Sequence, residues 1–596
     1  MHVVATAGHV DHGKSTLVRA LTGMEPDRWE EERRRGLTID LGFAWTTLPS
    51  GAGVAFVDVP GHERFLANML AGLGPAPVVM FVVAADEGWQ AQSSDHRDVV
   101  AALGIQTGVV VLSRADRATP ERVEEVRAQV WAELAGSGLE DAPVVTVSAV
   151  TGNGLDELRQ TLDQVLSRHT PSATARLRLW VDRSFSVTGA GAVVTGTLTA
   201  GSISRGEQVE VLGASSRRTA TVRRLESEGQ VHDVLRPVSR VALNLRGLSS
   251  MEISRGDVIL TPGSWLLTKL LDVRRTSGPA YEDVPHETTL HVGTAAVQVR
   301  VRPLDAEHAR VTLSRSLPLT VGDRIVLRDP GSGAIGGALV LDAEPPGLRR
   351  RGDAARRAAV LHSMDPAGDV TIEVARRGAV REAHLRDLGL VTLAEPPVPD
   401  SILVERGWWV DRAAREAWGR RLHVAVSELH ARDPLAVGLS RGALRDLLVL
   451  PSDDLVESVV AQAGLVLEGG YVRSADRPVG LGAAEAGLVT LEGRLAADPF
   501  AAPEADELDR LGLGPRELAA AERTGRLLRL GQGVVLLPTA PAQAMRTLAA
   551  LDQPFTTSAA RQALGTTRRV VIPLLEHLDG RGWTRRLDAG HRQVVR

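Results

Sequence analysis

Residues 8–15 read Gly8-His9-Val10-Asp11-His12-Gly13-Lys14-Ser15 and fit the pattern GxxxxGK[ST]. The apolar run from His2 to Ala7 predicts a buried parallel strand, and a helix is predicted from about Lys14 to Leu21. A strand, a glycine-bearing loop and a helix in that order make a phosphate cradle. Gly8 and Gly13 let the backbone wrap phosphates with its amide N–H groups turned inward. The helix aims its positive end at the same point. Asp11, His12 and Thr16 complete the set expected around the nucleotide. Lys14 sets a compact ammonium against the β/γ-phosphates, a geometry that the broader arginine fork does not reproduce. The Ser15 hydroxyl is placed to ligate Mg²⁺. Composition sharpens the point: the chain has two lysines, Lys14 and Lys269, and otherwise uses arginine. A lysine kept at position 14 marks a place where arginine would fail.

Further motifs follow in chain order. Thr38, in Arg35-Gly36-Leu37-Thr38-Ile39-Asp40, is placed to reach Mg²⁺ and the γ-phosphate. The strand Val54 to Val57 ends in Asp58-Val59-Pro60-Gly61-His62, where Asp58 can hold the Mg²⁺ shell through water and the Gly61 amide can sense the γ-phosphate. Loops of this kind are ordered by the γ-phosphate and released on hydrolysis. A strand from Val78 precedes a helix from roughly Ser93; Gly108 to Leu112 leads into Ser113-Arg114-Ala115-Asp116; Pro143 to Val147 ends at Ser148-Ala149. Alternating strand and helix predict a doubly wound α/β domain over residues 1–170. Every motif lies at the carboxyl end of a strand, where such sheets bind their ligands.

The chain is 596 residues long, enough for several domains, with 43% apolar and 24% charged residues, as in ordinary globular proteins. A formal net charge of −4 gives no global pull toward nucleic acid, so any basic footprint must be local. The absence of cysteine excludes disulfides, thiolate metal sites and a cysteine nucleophile, and suits a reducing cytosol. No apolar run of about 18 residues is present, so neither a membrane span nor a signal peptide is expected, and a cytoplasmic location is.

The segments GHVDHGKS, RGLTID, DVPGH and SA resemble those of translational GTPases such as elongation factor Tu. That resemblance implies GTP and GDP as ligands, Mg²⁺ as cofactor, and His62 as the residue that orients the attacking water. Val10 and Leu37 match the hydrophobic gate beside it. The family reads guanine with NKxD, whereas this chain has Ser113-Arg114-Ala115-Asp116. Asp116 keeps the carboxylate that accepts from guanine N1–H and N2–H₂. Ser113 is expected to be too short to copy the asparagine contacts, and Arg114 replaces the lysine that packs over the base. The short segment TGMEPDRWEEERRRGLTIDLGFA is similar to that of the SelB family of selenocysteine-specific elongation factors.

Beyond a linker near Thr170-Pro171, short β-rich runs broken by glycine turns predict β-barrels over 174–262 and 265–345. They resemble the second and third domains of translational GTPases. By that resemblance Asp182, Arg183 and Arg240 match an aminoacyl pocket. A cationic pocket suits an ionised selenol over a neutral serine hydroxyl.

The last 250 or so residues are helix-rich and weakly repetitive. Asp433-Pro434-Leu435, Asp498-Pro499-Phe500 and Asp552-Gln553-Pro554-Phe555 recur at spacings of 65 and 54 residues, each with helices and a glycine-containing hairpin after it. Tandem winged helices are predicted at 348–405, 406–476, 477–541 and 542–596, as in the SelB tail. Residues 551–596 hold eight arginines against four acidic residues. Arg561, Arg568, Arg569, Arg581, Arg585, Arg586 and Arg592, with Thr566 as a helix cap, mark a phosphate-binding footprint. Pro573 predicts a kink or a later helix start.

The combined expectation is a multidomain, monomeric GTPase: an α/β P-loop domain, two β-barrels and tandem winged helices. Its implied partners are selenocysteyl-tRNA, an mRNA hairpin (the SECIS element) near a UGA codon, and the ribosome. A translational GTPase serving another tRNA, and a nucleotide-gated RNA-binding regulator with weak GTPase activity, are the alternatives.

Overall fold

A computed structural model describes residues 2–26, 38–168, 175–187, 191–392, 396–433, 435–476 and 482–595. Arg35, Leu37 and the acidic-then-basic run Glu30 to Arg35 lie outside the described residues. So does the linker at Thr170-Pro171.

The N-terminal domain is one six-stranded sheet. Its strands are β1 His2–Ala7, β2 Gly42–Thr47, β3 Gly53–Asp58, β4 Val78–Ala84, β5 Gly108–Ser113 and β6 Val144–Thr146, in the spatial order β2-β3-β1-β4-β5-β6. Strand β2 runs antiparallel to β3 and the other pairings are parallel. Every residue of β4 is buried, as a strand covered on both faces requires. Alternate residues divide between two layers. Val3, Ala5, Val79 and Phe81 pack with helices α2 Leu66–Leu73, α3 Ala91–Leu103 and α4 Pro120–Leu134. Val4, Phe56, Met80 and Val111 pack with α1 Lys14–Thr22 and α5 Leu155–Ser167. This parallel frame brings the loops after β1, β3, β5 and β6 to one edge.

Two closed barrels follow. In the first, strand Gln208–Leu212 pairs with both Val258–Leu260 and Arg217–Ser227, closing a sheet that also holds Arg178–Val187, Gly191–Leu198 and Ser239–Arg246. The second barrel has six strands between Thr268 and Asp342. In its strand Ala295–Pro303, Val297, Val299 and Val301 point inward and Gln298, Arg300 and Arg302 outward, the period of two expected of a half-buried strand.

The chain forms two compact units, residues 1–373 with 381–397, and residues 374–380 with 398–596. The segment 348–405 is therefore divided between them, where the sequence suggested one module. In the first unit, helix Asp353–Ser363 is tied to the second barrel by Arg357, which is buried between Asp272 and Asp342; Arg310 shares Asp272 at 2.7 Å. Guanidiniums and carboxylates this deeply enclosed must stay paired. The second unit includes the hairpin Ile402–Glu405 with Trp408–Asp411, and the boundary expected at 405 falls at its turn.

In the second unit one succession occurs three times: a helix, two further helices, then a hairpin. Its first helices are Arg412–Arg432, Glu485–Ala497 and Ala540–Ala549. Its hairpins are Leu465–Glu468 with Tyr471–Ser474, Leu528–Arg529 with Val535–Leu536, and Thr584–Arg586 with His591–Val594. The last two repeats share one apolar core, in which Leu488, Leu491 and Leu495 join Leu574, Leu575 and Leu578. The final helix runs from Arg568 to Gly580 with a buried Pro573 inside it. It begins on the near side of the proline, so no later start is seen.

Candidate nucleotide, aminoacyl and RNA sites

The loop after β1 encloses a cavity of about 520 Å³ lined by Asp11, Gly13, Lys14, Ser15, Thr16, Thr38, Gly61, Ser113, Asp116 and Ala149 among others. Gly8 is dictated by space: its φ is +127°, and a Cβ there would meet the Val82 carbonyl oxygen at 2.1 Å. Lys14 is buried, and its ammonium donates to the carbonyls of Gly8 (2.9 Å) and His9 (2.8 Å). Burial lowers its pKa to about 8, against the opposing pull of Asp58 and Asp11. The His12 ring is wholly buried against the Val82 carbonyl; burial, aided by His9, lowers its pKa to about 3 and keeps it neutral. His12 therefore offers the cradle its backbone and not its ring.

The expected metal oxygens meet. Ser15 Oγ and Thr38 Oγ1 are 3.1 Å apart. Asp58 is fully buried and accepts from Thr6 Oγ1 at 2.8 Å, while its Oδ2 is enclosed without a hydrogen bond of ordinary length. Burial raises the Asp58 pKa, opposed by Ser15, Lys14 and Thr6. Hydroxyl and carboxylate oxygens of this kind suit a hard cation such as Mg²⁺. Gly61 approaches so closely that a Cβ would lie 2.7 Å from Lys14 Nζ. His62 stands apart from the cavity lining. Its Nδ1 accepts the Arg64 N–H at 3.2 Å and its ring meets Phe65 edge-on at 6.1 Å.

Two residues of α3 escaped sequence reasoning. His96 Nδ1 accepts the Gly8 N–H at 3.0 Å, and Gln92 Oε1 accepts the Val10 N–H at 3.2 Å. Burial lowers the His96 pKa to about 3, so its acceptor lone pair persists at neutral pH. The available signal was a polar pair four residues apart beside the apolar positions Val99 and Val100.

At the far end of the cavity, Asp116 accepts from Ser148 Oγ at 2.6 Å, and that bond chiefly lowers its pKa. Ser113 lies against the loop: its hydroxyl donates to the His12 carbonyl at 2.6 Å, and its Oγ is 4.0 Å from where a Gly13 Cβ would be. Arg114 is held by Glu87 at 2.6 Å and donates to the Asp11 carbonyl.

A second cavity, of about 210 Å³, lies between β2–β3 and the first barrel and is lined by Phe43, Trp45, Arg183, Thr195, Glu228 and Arg240 among others. Arg240 makes a two-pronged pair with Asp182, its Nη2 donating to Asp182 Oδ1 at 2.7 Å and to Thr195 Oγ1 at 3.2 Å. Burial alone would raise the Asp182 pKa; Arg240, with Thr195 and Arg183, more than offsets it and the net shift is downward. Arg240 and Arg183 stand over the Phe43 ring at 3.9 and 4.8 Å from its centroid. Arg183 also donates to Asp40 at 3.1 Å. Each arginine of the expected pocket thus has its own carboxylate.

The C-terminal arginines divide into two groups. Arg568, Arg585 and Arg586 are exposed and Arg561 is half-buried. Arg592 is buried, donating to Asp579 at 2.9 Å and to Thr557 at 3.3 Å. Arg569 donates to the Ala502 and Pro503 carbonyls at 3.2 and 2.9 Å. Thr566 is buried and donates to the Phe500 carbonyl at 2.7 Å, while Thr567 occupies the helix N-cap position. These contacts correct the footprint: Thr566, Arg569 and Arg592 bind the repeat to itself and its neighbour.

Comparison with known proteins follows the same order along the chain. The elongation factor Tu GTP-binding domain matches residues 1–168 and elongation factor Tu domain 2 matches 191–260. The β-barrel domain of selenocysteine-specific elongation factors matches 283–347, and the elongation factor SelB winged helix matches 546–593. The selenocysteine-specific elongation factor of Desulfomicrobium baculatum is 31% identical, covering 100% of this chain and 99% of the relative. That of Escherichia coli K12 is 31% identical over 99% and 98%. A crystal structure of a bacterial selenocysteine-specific elongation factor superposes with a TM-score of 0.73 at 25% identity, covering both chains fully. The chain belongs to the family of selenocysteine-specific elongation factors, and it is a translational GTPase.

Proposed function

We propose that this factor binds selenocysteyl-tRNA in complex with GTP, delivers it to the ribosome at UGA codons marked by an mRNA hairpin, and hydrolyses GTP there. The observation that carries the reading is the arginine-lined cavity beside Phe43. An aminoacyl end entering it meets two guanidiniums over an aromatic face, and an ionised selenol gains a charge-assisted contact that a hydroxyl cannot match. Asp182 holds Arg240 in place.

At the nucleotide, the loop amides and Lys14 bind the phosphates, and Asp116, fixed by Ser148, reads guanine. Ser15 and Thr38 would hold Mg²⁺, with Asp58 behind them, where the ion would supply neutralising charge for the phosphates. His62 turns toward the γ-phosphate to orient water once the ribosome engages; its position outside the cavity supports slow turnover of the free protein. The last winged helix, over 542–596, presents Arg561, Arg568, Arg585 and Arg586 to the phosphates of the SECIS hairpin. The hairpin and the tRNA held on one chain raise the local concentration of the tRNA at a single codon. The factor acts as a cytoplasmic monomer; among the described residues no helix is long and apolar enough to cross a membrane.

The test is protection of the aminoacyl ester. With GTP present, the protein should slow deacylation of selenocysteyl-tRNA and leave seryl-tRNA unprotected. Equal protection of both would point to a factor for ordinary tRNA. Protection of neither, with hairpin binding intact, would point to an RNA-binding regulator.

A further inference from the structure

A carboxylate, Asp40, stands between the pocket and the segment that carries Thr38. Asp40 lies two residues after Thr38 and three before Phe43. Its Oδ2 accepts from Arg183 at 3.1 Å, and its Oδ1 faces Arg255 at 3.5 Å. Arg183 also donates to the Leu41 carbonyl. Arg255, just before the barrel strand Val258–Leu260, donates to Asn68 Oδ1 at 2.9 Å, and Asn68 Nδ2 donates to the Ile39 carbonyl at 2.8 Å. Asn68 sits on α2, which follows the Asp58–His62 segment. The segment after Thr38, the helix after Asp58–His62 and two barrel arginines are therefore joined around Asp40, the helix through Asn68.

We infer that Asp40 is the positioning residue that couples the nucleotide state to the aminoacyl pocket. The inference rests on the proposed roles of Thr38 and Arg183. While Thr38 is held at the Mg²⁺ and γ-phosphate end of the cavity, Asp40 is fixed between Arg183 and Arg255, and Arg183 stays over Phe43. When Thr38 is released, the carboxylate moves with its segment, Arg183 loses its counter-charge, and the pocket loses its shape. A ligand of the pocket is then bound by the triphosphate form and let go by the diphosphate form, as reciprocal linkage requires. Neither barrel arginine lines the nucleotide cavity, so the carboxylate transmits the difference between the two forms.

The experiment is hydrogen exchange by mass spectrometry on the full chain, without tRNA, with GDP and with a non-hydrolysable GTP analogue. In the wild type, the analogue should slow exchange in peptides covering 38–47 and in barrel peptides covering 178–187 and 250–258. In Asp40→Asn, protection of 38–47 should remain while the barrel peptides become indifferent to the nucleotide; Asp40→Glu should restore part of the barrel response. A barrel response that persists in Asp40→Asn, or a wild-type barrel that ignores the nucleotide, overturns the inference. A second arm measures selenocysteyl-tRNA affinity with each nucleotide, and Asp40→Asn should reduce the GTP-over-GDP preference by about tenfold or more. If the wild type does not prefer selenocysteyl-tRNA over seryl-tRNA, the proposed function fails, while the exchange arm still decides the coupling.

Discussion

The nucleotide edge of the GTPase domain and the basic end of the last winged helix were both read from charged residues in short motifs, and they fared differently. At the nucleotide edge most of the named residues line one cavity; Gly8, His12 and Ser148 are bonded to its lining, and His62 stands apart from it. At the basic end, two of the named arginines and the threonine turned inward. The difference lies in what the residue type constrains. A phosphate loop is built from backbone, and its glycines, lysine and serine are set by spacing along the chain. An arginine in a chain with two lysines must serve every cationic purpose, from buried pair to phosphate contact. Composition locates a basic region but does not say which arginines remain available.

The contrast is broken most forcefully at Lys14. Lys14→Ala should weaken GTP binding by about a hundredfold or more, since it removes a charge-assisted contact to the phosphates. Titration calorimetry checks this. The lowered pKa adds a pH signature. In the free protein Lys14 has a pKa of about 8, and the bound phosphates raise it. Below that pH the lysine is already charged and binding is flat. Above it binding must take up a proton, so GTP affinity should fall by up to about tenfold per pH unit. A flat profile from pH 7 to 10 would place the lysine's charge elsewhere.

Asp116→Asn comes next. It should weaken GTP by about 10- to 100-fold and improve competition by xanthosine triphosphate, because the new amide can donate where the carboxylate could only accept. Unchanged GTP affinity would mean that the departure from NKxD has shifted guanine reading to other groups.

The winged helix sharpens the contrast on a smaller scale. Arg592→Ala should lower stability by about 1.5–3 kcal/mol by removing a buried hydrogen bond to a carboxylate, read as a drop in thermal midpoint. Arg568→Ala with Arg585→Ala should leave the midpoint alone and reduce the salt slope of hairpin binding by about two. The reverse pattern would reassign the two arginine groups.

The fold was legible where one chemistry dominates. The apolar runs Val78–Ala84 and Gly108–Leu112 could only be strands covered on both faces, and glycine turns announced the barrels. The path of residues 348–405 was not legible, since it depends on Arg357 finding Asp272 and Asp342, a pairing remote in sequence. Likewise Asp116 and Ser148 could be paired by motif order, whereas His96 and Gln92 carry no motif and reveal their purpose only when α3 lies against the loop.

In the proposed function, a cationic pocket beside Phe43 selects the anionic form of an aminoacyl side chain. Its most direct test is the dissociation constants of selenocysteyl- and seryl-tRNA, each with a non-hydrolysable GTP analogue, at neutral pH and again below the ionisation of the selenol. Selenocysteyl-tRNA should be preferred by about a hundredfold or more at neutral pH, from a charge-assisted contact in an enclosed site, and the preference should collapse in acid. Equal binding at neutral pH, or a preference that survives protonation of the selenol, would contradict it.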